Sequence, residues 1–297
     1  MPNEITTGQV AATSDYQIIE IFLRDLSPHT QRAYAHDISE FYQKVNKTLP
    51  SMVYEDLQDY RLWLENKVDS PLSPESIHRK LAAIKSLFKF CFQLGYLKYD
   101  IARLIKLPKT KLKLASRILT EWQVKEIIRK QQEVLNNPHN KRNKNIVYRN
   151  ICLFNFIYYT GVRVSEVTNL KWTDIHPSPH GYTVTVYGKG GKTRVLLLPH
   201  WIYDDLKKLP SQVNYVFVSR RGGKLDEDSV RVAVKQAGKL IGVDCTPHFF
   251  RHSHASHSIN HGAPLHLVQK GLGHSSLATT SMYLHANPDD SPGLYLK

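Results

Sequence analysis

The chain has 297 residues, with 40 Lys and Arg against 26 Asp and Glu, a formal charge of +14. That length exceeds a typical single domain and predicts two, each long enough to bury a core. A hydrophobic share of 41% with only 15 Gly and 15 Pro excludes collagen-like, low-complexity and broadly disordered chains.

In chain order, residues 1–14 read as a flexible polar tail and residues 15–107 as a helical domain. An apolar segment near Tyr16 to Arg24 comes first. Ser27-Pro28 then opens a helix with a capping hydroxyl and Pro at its first position, and Tyr34, Ile38, Phe41 and Val45 form its apolar stripe. A third segment runs from Val53 to Lys67. Ser73-Pro74-Glu75 opens a fourth helix, with Ile77, Leu81, Ile84, Phe88 and Phe92 on one face and Gly95 as its stop. Arg79, Lys80, Lys85 and Lys89 on this helix face either phosphates or water.

The basic charge is concentrated between Arg103 and Arg149, where 13 Lys and Arg meet only Glu121, Glu126 and Glu133. Its first part, residues 108–115, alternates Lys109, Lys111 and Lys113 with apolar residues after Pro108. This reads as an extended basic linker between domains, with a short edge strand as the alternative. Residues 116–297 form the second domain. Thr120 caps a helix from Glu121 to Val134, a polar basic loop follows from Pro138, and an apolar helix from about Ile146 to Tyr159 breaks at Thr160-Gly161. Tyr182 to Tyr187 and Thr193 to Leu198 are β-branched runs around Gly188-Lys-Gly-Gly-Lys192, which predicts a hairpin. The remainder is helical apart from a short Tyr215 to Val218 run. The expected class is mainly α with a small antiparallel sheet.

Cys91, Cys152 and Cys245 form no CxxC pair and fit a reducing compartment. No apolar run approaches the roughly 18 residues of a membrane span, and Met1 to Ser14 lack the basic-then-apolar pattern of a secretory signal. A cytoplasmic address is therefore expected. The excess positive charge points to a polyanion, nucleic acid before membrane.

Two nucleotide or metal readings fail on the residues. Gly191-Lys-Thr193 resembles the end of a P-loop, but Val186 stands where its first Gly belongs, and strands flank it instead of an opening helix. The C-terminal histidines include no HExxH, and His252, His254 and His257 do not share a helical face, so no metal site is expected.

A different order of residues carries chemistry: Thr160-Gly-Val-Arg-Val-Ser-Glu-Val167, Gly188-Lys-Gly190, His248-Phe-Phe-Arg251-His, Gly271-Leu-Gly-His274 and Tyr283. This set resembles the tyrosine recombinase (phage integrase) family, with a size and plan similar to its Xer-type members. The resemblance implies an N-terminal SAM-like, four-helix core-binding domain and an α+β catalytic domain, closing on DNA as a clamp crossed by Lys109, Lys111 and Lys113, with Arg79 and Lys85 as further DNA contacts. It implies catalytic roles for Arg163, Lys189, His248, Arg251, His274 and the nucleophile Tyr283. Fixed guanidinium groups suit a phosphodiester that gains charge in its transition state. Tyr283 would form a 3′-phosphotyrosyl link, with His248 as candidate base and Lys189 as candidate acid for the 5′ oxygen; Lys192 is the local rival. Glu166 would orient an active-site partner. No cofactor or metal is required.

The family works as a tetramer on two DNA duplexes through a Holliday junction, either as one protein or with a second recombinase. Only 14 residues follow Tyr283, interrupted by Pro288 and Pro292, so any segment passed to a neighbour is expected to be short. The leading expectation is a nucleoid-associated site-specific recombinase, with Xer-type dimer resolution as the role its plan suggests. A mobile-element integrase, a type IB topoisomerase-like enzyme and a catalytically silent DNA-binding protein stand as alternatives.

Overall fold

The computed structural model describes residues 14–68, 70–109, 115–139, 143–188, 191–210, 214–274 and 277–283, without side-chain detail at 115, 277 and 278. The expected linker residues Lys111 and Lys113, and the candidate acid Lys189, lie outside these. The chain divides into two compact units, Met1–Leu112 and Lys113–Lys297.

The first unit packs α1 (Asp15–Arg24), α2 (Pro28–Val45), α3 (Tyr54–Glu65) and α4 (Pro74–Gln93). Ser14 and Ser73 cap α1 and α4 through their hydroxyls. Ser27 does not cap α2 in this way: its hydroxyl pairs with Thr30 Oγ1 at 2.9 Å, and Pro28 alone marks the start. Ile18, Ile38, Phe41, Leu57, Tyr60, Leu81, Ile84 and Phe88 form the core. Phe92, expected on the buried stripe of α4, is 47% exposed, and Cys91 takes its place. At 100° per residue the stripe advances from Phe88 by three residues, not four, so Phe92 falls outside it.

Polar ties lock these helices. The Asp15 carboxylate accepts from Tyr42 Oη at 2.9 Å, Leu49 N at 2.7 Å and Tyr96 Oη at 2.7 Å. Asp37, fully buried, pairs with Arg79 and with Lys80 Nζ at 3.2 Å, and Lys80 reaches Glu40 at 3.0 Å. Lys85 Nζ donates to the carbonyls of Arg103 at 2.9 Å and Ile105 at 2.7 Å. Arg79 and Lys85, read from sequence as DNA contacts, thus both hold intramolecular partners.

The second unit contains α5 (Glu121–Asn136), α6 (Lys144–Thr160), α7 (Val164–Asn169), α8 (His200–Lys207), α9 (Glu227–Lys239), α10 (Pro247–Asn260), α11 (Leu265–Leu272) and α12 (Leu277–Ser281). Its antiparallel sheet has the order β1 (Ile175–Ser178), β2 (Gly181–Tyr187), β3 (Thr193–Leu198), with Val184 opposite Leu196 and Thr185 opposite Val195. The predicted hairpin is β2–β3; β1 is an addition, too short and too polar to announce itself. Tyr215 and Val218 make only isolated bridges, to Lys171 and Lys224. Phe154, Phe156 and Ile157 of α6 lie at the centre of the core, with Val184, Leu198, Val234 and Phe250 around them.

Phe41 has no exposed surface and meets Tyr60 edge-on at a centroid distance of 4.9 Å. Phe41→Ala should cost about 3–5 kcal/mol through lost transfer energy and cavity. Hydrogen exchange of the α2 and α4 amides should accelerate by about 10²-fold or more; unchanged protection would contradict this packing.

Candidate active site

Gly161 ends α6 with a left-handed φ of +63°, and a Cβ there would lie 2.5 Å from His254 Cδ2. The chain can therefore leave α6 at once and place Arg163, two residues on, as the N-cap of α7. Glu166 at the third position of that helix reaches back to Arg163 N at 2.7 Å and to Arg163 Nη1 at 3.0 Å. Arg163 thus lies just outside α7 as its cap and is paired with the carboxylate three residues on.

The same carboxylate receives a two-pronged contact from Arg194 of β3, Nη1 to Oε1 at 2.9 Å and Nη2 to Oε2 at 2.8 Å. Arg194 Nε donates to Gly271 O at 2.6 Å. Both side chains are buried, at 8% and 2% exposure. Burial pushes the Glu166 carboxyl up, but the Arg194 hydrogen bonds, the Arg163 amide and both positive charges outweigh it and hold the group below its ordinary range. Gly188, at the described edge of the hairpin turn, lies beside this pair: a Cβ there would be 3.5 Å from Glu166 Oε1.

Arg251 of α10 is buried and takes carbonyls as partners. Nη1 donates to Gly161 O, and Nη2 donates to Leu272 O at 2.7 Å and to His274 Nε2 at 3.1 Å. An arginine can only donate, so Nε2 is the acceptor and His274 Nδ1 carries the proton offered to Thr280 Oγ1 at 2.9 Å. Burial, then the Arg163 charge, pushes Arg251 down to about 9, still charged at neutral pH. Burial and the charges of Arg251, Arg163 and Arg194 push His274 down to about 4. His248, one turn before Arg251, is lowered by burial and by Arg251, Arg231, Arg163 and Arg117.

Tyr283 is 3% exposed, and its hydroxyl meets His252 Nδ1 at 2.7 Å. Burial raises its pKa, and Arg251 opposes the rise. The structure thus links Arg163, Glu166, His248, Arg251, His274 and Tyr283 by contact or by charge. Lys109 is exposed in the first unit. The sequence reading missed Arg194 and His252. Alternation along β3 signals the former, since Arg194 shares the inward face with Leu196 and Leu198, and an inward charge needs a partner. For His252 the signal was only adjacency to Arg251.

Three guanidinium groups near one carboxylate, with histidines held neutral, leave a net positive cluster suited to an anion with a hydroxyl beside it. Among the described residues there is no group of three or more His, Cys, Asp or Glu able to hold a metal. The arrangement suits phosphoryl transfer to a hydroxyl, and the chain belongs to the phage integrase family. The model of that family matches residues 117–290, and the phage integrase N-terminal SAM-like domain matches residues 20–94.

Its relatives include Xer-type recombinases. It is 29% identical to tyrosine recombinase XerC of Bacillus pumilus, over 96% of each chain. It is 31% identical to a tyrosine recombinase of Thermosipho africanus, over 91% of this chain and 95% of that one. Its fold is similar to that of the XerH site-specific recombinase bound to its difH substrate, with a TM-score of 0.71 and 21% identity over 96% of this chain and 83% of the other.

Arg194→Met should destabilise the second unit by about 3–5 kcal/mol, because Glu166 then keeps only part of its charge compensation in a buried position. The Glu166 pKa is depressed when folded, so this contribution is complete above the ordinary value of 4.5 and fades as pH falls through the lower folded value. Urea titrations should therefore show the difference between wild type and variant shrinking below about pH 4. A constant difference would show that Arg194 stabilises through packing alone.

Proposed function

We propose that the protein is a site-specific recombinase that cuts and rejoins DNA through a covalent 3′-phosphotyrosyl link at Tyr283. The observation that carries this is the junction of the Arg163–Glu166–Arg194 cluster with Arg251, His274 and a Tyr283 hydroxyl already engaged by an imidazole. Arg163, Arg251, His248 and His274 hold the scissile phosphate and the charge that develops on its non-bridging oxygens. Lys189 protonates the 5′ leaving oxygen, and Glu166 orients Arg163. The cleaved phosphodiester is conserved in the tyrosyl ester, so rejoining needs no nucleotide.

Residues 15–107 serve as the core-binding domain, 108–115 as the basic linker and 116–297 as the catalytic domain. Lys109, Lys111 and Lys113 contact phosphates and supply affinity without sequence choice. The working form is a tetramer on two duplexes that passes through a Holliday junction. Near-complete coverage by Xer-type relatives supports an Xer-type role such as dimer resolution, with a nucleoid-associated address. Among the described residues no helix is long and apolar enough to cross a membrane.

On a nicked suicide substrate carrying the target site, wild-type protein should form a covalent adduct in EDTA without nucleotide, and Tyr283→Phe should form none. Lack of wild-type adduct on a verified site would falsify the proposal. Arg163→Ala should bind DNA normally and lose cleavage. Neutralising the three linker lysines should weaken binding and flatten its salt dependence, which for about six to ten phosphate contacts is a loss of about 10³–10⁵ in affinity from 50 to 200 mM salt.

A further inference from the structure

The Tyr283 hydroxyl has one hydrogen-bond partner among the described residues, and it is not the histidine that the motif order singles out. His252 Nδ1 lies 2.7 Å from Oη, with ring centroids 5.8 Å apart. His248 has no hydrogen bond to Tyr283, and its ring centroid is 6.3 Å from that of His252. Tyr283 is held in this place by the hydrogen bond its backbone N–H donates to Thr280 O at 3.1 Å and by packing against Ala255, Val268 and Leu272.

The proton positions follow from the surroundings. Burial keeps the phenol protonated, so Oη donates, His252 Nδ1 accepts, and Nε2 carries the imidazole proton. Burial pushes His252 down to about 4, reinforced by His248 and Arg251 on its own helix, Arg117 from the turn before α5, and His274 after α11. Its Nδ1 lone pair is therefore available throughout the neutral range. A general base must lie within hydrogen-bond reach of the proton it removes, and His252 meets that requirement.

We propose that His252 is the catalytic base for Tyr283, an assignment that rests on the recombinase reading above. As Oη forms its bond to phosphorus, its proton passes to His252 Nδ1, the P–O5′ bond breaks, and the 5′ oxygen takes a proton from a separate acid. Rejoining reverses each transfer, with His252 returning the proton to the departing phenolate. The cations that keep His252 neutral at rest also oppose its imidazolium form. An arriving phosphodiester offsets them with its negative charge, so proton transfer is favoured only when DNA occupies the site.

The test is single-turnover cleavage of the suicide substrate by full-length wild type and His252→Gln between pH 5.5 and 9.5, with DNA affinity measured alongside to verify folding. His252→Gln should bind like wild type and cleave about 10²–10⁴-fold more slowly near neutrality. Its rate should rise roughly tenfold per pH unit as the phenol ionises unaided. A substrate with sulfur at the 5′ bridging position, whose leaving group needs no proton, should not rescue it. If glutamine disturbs folding, His252→Asn carries the same comparison. Three results would overturn the assignment: cleavage within tenfold of wild type with an unchanged pH profile, faster cleavage, which would make His252 a resting lock, or rescue by sulfur, which would place it at the leaving group. Failure of wild type to form any adduct is a separate outcome that removes the recombinase reading as well.

Discussion

Arg251 carries a full charge in the protein interior, and its guanidinium takes backbone carbonyls as hydrogen-bond acceptors. Gly161 O and Leu272 O come from the C-terminal ends of α6 and α11, where the helix dipole places partial negative charge. These oxygens accept from Nη1 and Nη2 but bring no full negative charge to the cation. The one full carboxylate of the cluster, Glu166, is committed to Arg194 and Arg163. The division matters because a carboxylate on Arg251 would neutralise the charge that a phosphate has to meet.

Holding such a cluster together imposes backbone requirements on every segment that reaches it. Gly161 turns the chain off α6 in time for Arg163 to cap α7. Gly273 closes α11 with a φ of +66°, and a Cβ there would press on Arg194 at 3.3 Å. His274 follows directly and bonds to Arg251. Arg194, through Glu166 on one side and Gly271 on the other, joins β3, α7 and α11. The described motif residues are scattered over more than a hundred positions because the cluster gathers α7, α10 and the residues that follow α11 and α12.

Much of this was legible before folding. Thr120, Ser73 and Gly161 marked helix ends by their own chemistry, and β-branched runs around a glycine-rich turn marked the hairpin. What escaped depended on groups remote in sequence. Of the four cations on α4 that faced either phosphates or water, Arg79 and Lys80 are partnered by Asp37 of α2, and Lys85 by carbonyls near residue 104; Lys89 is exposed. No local pattern distinguishes a lysine that serves the fold from one that serves a ligand. Phe92 was misplaced for a simpler reason: a four-residue step and a three-residue step look alike until the rest of the stripe fixes the phase.

The site shows the same boundary between residue type and residue role. The family resemblance implied Arg163, Lys189, His248, Arg251, His274 and Tyr283 as a set, yet it could not decide which imidazole meets the phenol. On α10, His248 and His252 are one turn apart, and burial first, then Arg251 and Arg117 among other groups, lowers both. Their difference arises from α12, which brings Tyr283 down beside His252, and that contact spans 31 positions of sequence. On the proposed mechanism this site is electrostatically poised against its own chemistry, because the cations proposed to bind phosphate raise the cost of protonating either imidazole. A bound phosphodiester would remove that cost, so on the proposed mechanism the charge excess visible in the composition serves both to attract DNA and to restrict the proposed nucleophile to it.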